Sequence, residues 1–234
     1  MIGLKIANGL LSSGAKVVGT VHSEAGLRIA AKLPRGVVDF LEIRVDAFTN
    51  RKALLLDSLP GLNFPLIITV RHPLEGGACA MPSSRRVELL EAFLPYAALI
   101  DVELRSLAPL DSVIRRARAG NTGLIVSHHN FRSAPPPARL RELASRAVEA
   151  GADILKIAAF TANARQVGRL LEFAATERRI ALSVMGMGPM GKVSRLLFSQ
   201  SGSVLNYGFL DRRQVSGQWP AGQLKERIAE LAGG

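Results

Sequence analysis

Short runs of Val, Ile and Leu alternate with longer amphipathic runs from one end of this chain to the other, and the alternation repeats eight times. Apolar runs of four to eight residues bounded by turn residues read as buried strands, and strands alternating with helices read as parallel βα units. The pattern predicts strands near residues 17–21, 40–46, 66–71, 99–104, 123–129, 154–160, 180–185 and 204–209. Helices follow near 24–32, 51–55, 84–93, 110–119, 137–149, 162–176, 192–198 and 223–231. Eight such units in 234 residues suit a compact α/β fold of the (β/α)8 TIM-barrel type, which takes about 250 residues. A doubly wound open sheet is the second architecture. It is weakened because the first strand runs straight into His22 and Ser23 with no glycine-rich dinucleotide fingerprint, and no Walker-type sequence occurs. The longest Pro-rich piece, residues 133–137, falls between a strand and a helix, so a single domain over residues 1–234 is expected.

Composition narrows the setting. One cysteine, Cys79, excludes an internal disulfide framework and a Cys-based zinc finger, and favours a reducing, cytoplasmic compartment. The longest uncharged stretch, residues 196–210, contains Ser, Gln, Asn and Gly, and falls short of the roughly 20 apolar residues of a membrane-spanning helix. An apolar run at residues 6–11 is interrupted by Asn8 and Gly9, which makes a poor signal-peptide core; it is expected to lie near the barrel floor. The formal charge of +11 admits nucleic acid, an anionic membrane or an anionic small molecule. Yet the arginines scatter through predicted helices (Arg85, Arg86, Arg115, Arg116, Arg118, Arg139, Arg141, Arg178, Arg179), in blocks no longer than a pair. Solvated helix faces, with no nucleic-acid or membrane partner, are the expectation.

Alternate strand residues point into a barrel, and sites form where the inward set turns polar at the carboxyl ends of the strands. Glu42, Arg44 and Asp46 share one parity on strand two, Thr69 and Arg71 on strand three, and Asp101 and Glu103 on strand four. Ser127 and His129 follow on strand five, Lys156 on strand six, and Ser183, Met185 and Met187 on strand seven. These parities converge on one axis.

Lys156 sits in the run Ile-Leu-Lys-Ile-Ala-Ala-Phe. An apolar setting favours the neutral amine that a Schiff-base nucleophile requires. The second reading is a structural lysine paired with an inward carboxylate such as Glu103. His129 suits proton abstraction and return, or is a satisfied strand-end histidine; His128, of opposite parity, faces the helices. Glu75, in the loop above strand three, is placed to orient a histidine or is simply solvated. Residues 185–192 (Met-Gly-Met-Gly-Pro-Met-Gly-Lys) are similar to the glycine-containing loops that bind phosphate above the last strands of many barrels, and Met185 and Met187 also suit an apolar wall. Arg195, opening the next helix, is placed to clamp a carboxylate.

Strand-end Glu-x-Arg, Arg-x-x-x-Glu, His-Asn-Phe, a strand-six lysine, and Met-x-Met followed by Ser-Arg-Leu occur in that order. In these motifs the chain closely resembles type I 3-dehydroquinate dehydratase over nearly its whole length. That family is a (β/α)8 barrel, often a homodimer, and converts 3-dehydroquinate to 3-dehydroshikimate and water in the shikimate pathway, without metal or organic cofactor. The resemblance implies a Schiff-base lysine at Lys156, a general acid and base at His129, and Glu75 as the acid that orients it. It implies contacts to ring hydroxyls from Glu42, Arg44 and Arg71, a carboxylate clamp at Arg195, and a ring pocket lined by Met185 and Met187. Gln218 corresponds to the family's closing-loop glutamine, and Gln214 replaces its serine. Tyr207 stands where many members carry Phe, and a ring-packing role survives the exchange. The rivals are a class I Schiff-base aldolase on the same barrel, which needs free backbone N–H groups after strand seven, and a basic nucleic-acid-binding module, which leaves the inward polar residues unexplained.

Overall fold

The computed structural model describes residues 14–233; the apolar run at residues 6–11 lies outside them. Eight parallel strands close into a barrel: β1 (Lys16–Val21), β2 (Phe40–Arg44), β3 (Leu66–Thr69), β4 (Ala97–Glu103), β5 (Gly123–Asn130), β6 (Ile154–Phe160), β7 (Ala181–Met187) and β8 (Leu205–Phe209). The helices between and after them are α1 (Glu24–Ala31), α2 (Lys52–Ser58), α3 (Ser83–Phe93), α4 (Asp111–Ala119), α5 (Pro137–Glu149), α6 (Ala164–Thr176), α7 (Gly191–Ser199) and α8 (Ala221–Ala232). The expected TIM-barrel architecture is the observed one.

Local chemistry sets several boundaries. Ser23 caps α1 by accepting from the Gly26 N–H, and Asn163 caps α6 through the Gln166 N–H, so α6 begins two residues later than expected. The second strand is shorter than its apolar pattern suggested. After Arg44 the chain turns into 3-10 geometry over Val45–Arg51, which carries Asp46 off the strand while keeping it buried. Arg71 likewise stands in the loop just beyond β3. Among the described residues no helix is long and apolar enough to cross a membrane.

Each strand pairs with its sequence neighbour from β1 to β7, and β1 pairs with β8 from Lys16↔Leu205 to Thr20↔Phe209. The seam between β7 and β8 has no such ladder. A single bridge, Leu182↔Ser203, and side chains close it: Ser203 Oγ accepts from the Val184 N–H at 3.0 Å, and Ser183 Oγ donates to the Leu205 carbonyl at 2.6 Å.

Two apolar layers result. Outward strand residues pack with the helices into the larger core. Inward residues Val18, Phe40, Ile67, Leu99, Ile125, Ile154 and Leu205 form a second cluster that plugs the barrel. Two positions further along the same strands the inward set becomes Thr20, Glu42, Thr69, Asp101, Ser127, Lys156 and Tyr207, every one of them buried.

Candidate active site

A cavity of about 250 Å³ opens above this polar layer, at the carboxyl ends of the strands. Lys156, on β6, is 3% exposed. Its Nζ lies 3.0 Å from Asp101 Oδ2 and 3.2 Å from Glu42 Oε1, so the carboxylates that hold it come from β4 and β2. The Glu103 partner expected for a structural lysine is engaged elsewhere: it accepts from Arg71, the His72 N–H and Arg86. The ladder register aligns Glu103 with Ser127 and Ser127 with Lys156, but strands tilt across a barrel, and it is Asp101, one inward step below Glu103, that meets the lysine. Glu42 is fixed in turn by the hydroxyls of Thr20 at 3.2 Å and Thr69 at 3.1 Å.

Arg71 is fully enclosed. Its Nη atoms bond both oxygens of Asp101, Glu103 Oε1 and Ser127 Oγ, a bidentate arrangement that holds its pKa above the ordinary guanidinium value against the cost of burial. Burial opposes ionisation of Asp101, but Arg71 and Lys156 outweigh it and push the carboxyl far below the usual range. Arg44 forms a fork with Asp46 at 3.0 and 2.8 Å and donates to the Gly76 carbonyl and to Gln214 Oε1. Asp46 also accepts from the N–H groups of Arg71 and Ala78, tying the ends of β2 and β3 together.

The loop after β3 needs its two glycines. Gly76 has φ of 86°, and a Cβ on Gly77 would lie 2.4 Å from the Arg71 carbonyl oxygen, so the chain folds back sharply on the strand end. That fold brings Glu75, 5% exposed, under His129. Glu75 Oε2 lies 2.9 Å from His129 Nδ1 and 2.9 Å from its backbone N–H. Burial, followed by the nearby Glu103 charge, raises the Glu75 carboxyl to about 7. Burial, with Arg71 and Lys156 close by, holds His129 well below the usual histidine value. Both shifts have one leading cause, because burial disfavours the charged form of each group. With Nδ1 committed to Glu75, Nε2 is the ring nitrogen left for proton transfer. His128 has Arg139, Arg105 and Arg146 as its charged neighbours, on the helical side as its parity required.

Met185, Met187 and Tyr207 line the pocket, with the Tyr207 ring centroid 3.8 Å from Lys156 Nζ. Arg195, on α7, is 2% exposed and donates to two carbonyl oxygens, Gly217 through Nε at 3.2 Å and Tyr207 through Nη1 at 2.7 Å. Among the described residues no carboxylate pairs with it, and burial alone lowers its pKa to about 10. A buried cation without a counter-charge calls for an anion from outside. The loop carrying Gln214 and Gln218 lines the pocket and is tied to the end of β7, where the Gly188 N–H donates to the Ser216 carbonyl. Gln218 Oε1 accepts from the N–H groups of Gln214 and Val215, and Gly217 packs so tightly on Gly191 that a Cβ on Gly191 would come within 2.7 Å of it.

Two expectations fail. The stretch 185–192 is not a phosphate cradle: the N–H groups of Gly188, Met190 and Gly191 donate to the carbonyls of Ser216, Thr161 and Gly188, leaving none of those three for a ligand. Arg86 is no solvated helix residue. It is 1% exposed and reaches the Val70 carbonyl, Ser106 Oγ and Glu103, while the other arginines of that set are exposed or half-buried. Thr20, which also lines the pocket, carried a readable signal in the alternation of Val18 and Thr20 on the first strand.

The profile of the type I 3-dehydroquinase family matches residues 17–232. A 3-dehydroquinate dehydratase of Methanocella arvoryzae is 34% identical over 217 residues, which are 92% of this chain and 96% of that protein. One from Thermococcus gammatolerans is 33% identical over 222 residues, 93% and 99% of the two chains. The crystal structure of 3-dehydroquinate dehydratase from Geobacillus kaustophilus superposes with a TM-score of 0.85 at 26% identity, over 94% of this chain and 92% of that one. Sequence and backbone agree from the first strand to the last helix, and the chain belongs to the type I 3-dehydroquinase family.

Proposed function

We propose that this protein removes water from 3-dehydroquinate to give 3-dehydroshikimate, through an imine on Lys156 with His129 moving the proton. The observation that carries the reading is one pocket holding three things together: a buried lysine, a half-buried histidine seated on a carboxylate, and an arginine with no counter-charge among the described residues. Arg195 receives the substrate carboxylate, and Gln218 and Gln214 close over it. Arg44, Arg71 and Glu42 meet the ring hydroxyls, while Met185, Met187 and Tyr207 bound the apolar edge of the ring.

Lys156 gives up one ammonium proton and its neutral amine attacks the ring ketone; a proton returns to the carbinolamine oxygen, which leaves as water, and the protonated imine that remains draws electrons from the neighbouring carbon. His129, kept neutral by burial and steadied through Nδ1 by the Glu75 carboxylate, takes the proton from C2 through Nε2. As imidazolium it returns a proton to the C1 hydroxyl, which leaves as water. Hydrolysis of the imine frees the product. No step requires a metal or an organic cofactor. In the cell this is a shikimate-pathway reaction on the way to aromatic amino acids, carried out by a cytoplasmic homodimer with no nucleic-acid partner.

A phosphorylated-sugar aldolase is disfavoured because the backbone donors after β7 are already spent. Incubation with 3-dehydroquinate should produce the absorbance of a conjugated enone, and borohydride added with substrate or product should fix a ligand-sized mass on Lys156. No enone, or a mass on another residue, overturns the assignment.

A further inference from the structure

We infer that the aromatic face of Tyr207 is part of the catalytic apparatus, stabilising the iminium cation formed on Lys156; this rests on the imine reading above. Resting Lys156 has three close partners: Asp101 Oδ2 at 3.0 Å, Glu42 Oε1 at 3.2 Å and the Tyr207 ring centroid at 3.8 Å. Conversion to the iminium exchanges an ammonium and a ketone for an iminium and water. Two of the three N–H hydrogens leave with the ketone oxygen, and the nitrogen keeps one N–H and its positive charge.

One N–H cannot serve two carboxylates, so at least one of the two hydrogen bonds is lost when the imine forms. A cation–π contact needs no hydrogen and depends only on a cation near the ring face, and it is strongest where water is excluded. Of the three partners, the ring is therefore the one whose contact does not depend on the hydrogens that leave. The setting meets the conditions. Tyr207 is 3% exposed and Lys156 likewise. The Tyr207 hydroxyl is buried and has no hydrogen-bond partner among the described residues, so no hydrogen bond among them accounts for its placement. The Arg195 bond to the Tyr207 carbonyl and the pairing of β8 with β1 hold its backbone in place.

The effect belongs to imine formation. Proton abstraction turns the iminium into a neutral enamine and gives up the contact, so the ring raises the population of the covalent state without helping the step catalysed by His129. The test is the product concentration that gives half-maximal borohydride-trapped adduct, read by intact mass. Tyr207→Phe keeps the ring and should stay within about twofold, whereas Tyr207→Leu should need about tenfold more product. A series of singly to triply fluorinated phenylalanines at position 207 keeps the shape and drains the ring face of charge, and should raise the half-maximal concentration stepwise. A flat response across the fluorinated series, with the unmodified protein trapped normally, overturns the inference. Absence of trapping in the unmodified protein overturns instead the imine reading beneath it.

Discussion

The floor and the mouth of this barrel are built from the same strands, on the same inward face, one pleat apart. Phe40 precedes Glu42, Ile67 precedes Thr69, Leu99 precedes Asp101, Ile125 precedes Ser127 and Ile154 precedes Lys156. Two residues of strand span about 7 Å. Within that distance the lining passes from an apolar plug to three charges, Glu42, Asp101 and Lys156, and Arg71, from just beyond β3, reaches both carboxylates. Below, burial is stabilising in itself. Above, each charge is tolerated because another lies within hydrogen-bond reach, and Arg195 alone is left for a ligand to complete. Stability and chemistry are thus carried by adjacent layers, and substitutions should separate them.

The largest effect is expected at the mouth: Lys156→Met should abolish both turnover and borohydride-dependent labelling, as read by the enone assay and intact mass. His129→Ala should still form the trapped adduct but eliminate water about 10²- to 10⁴-fold more slowly, measured by single-turnover absorbance. One step down the barrel the outcome reverses. Leu99→Ala, in the floor, should cost about 2–5 kcal/mol in denaturant unfolding while kcat stays within about twofold. If that variant lost activity as steeply as His129→Ala while remaining folded, the division between layers would be wrong.

The smallest effect is a change in pH dependence. Glu75 is raised to about 7 mainly by burial, so as pH falls through that value a proton enters the Glu75–His129 pair and the base is lost. The kcat/KM of the unaltered protein should therefore decline below about 7. Glu75→Gln has no carboxyl to protonate there. Its limb should move to lower pH, following the depressed His129, at a lower plateau.

Much of this was legible in the sequence because the period of two on a strand needs no knowledge of neighbours. The barrel and the inward placement of Glu42, Arg44, His129 and Lys156 followed from it. What failed depended on contacts across the fold. The choice of Asp101 over Glu103 as the partner of Lys156 is decided by the relative height of three strands. Of the spent N–H groups after β7, that of Gly188 goes to the loop carrying Gln214 and Gln218 and that of Met190 to Thr161, just beyond β6. Arg86 was missed although a signal existed: Leu89, Leu90 and Phe93 stand three, four and seven residues on, which puts Arg86 on the buried stripe of α3 and its neighbour Arg85 outside.

The seam between β7 and β8 bears on how the chain acquires its shape. The last strand follows β7 in sequence, yet its ladder is with β1, and α8 adds an ion pair from Lys225 to Asp39 near the start of β2. The C-terminal segment is therefore captured by the N-terminal one, a union that must bear the entropy of closing a loop nearly as long as the chain. The β8 ladder on β1 can form only after nearly all of the chain between them has been made. Because Tyr207, Gln214 and Gln218 travel on that same segment, the barrel becomes a closed object and a finished binding site in a single event.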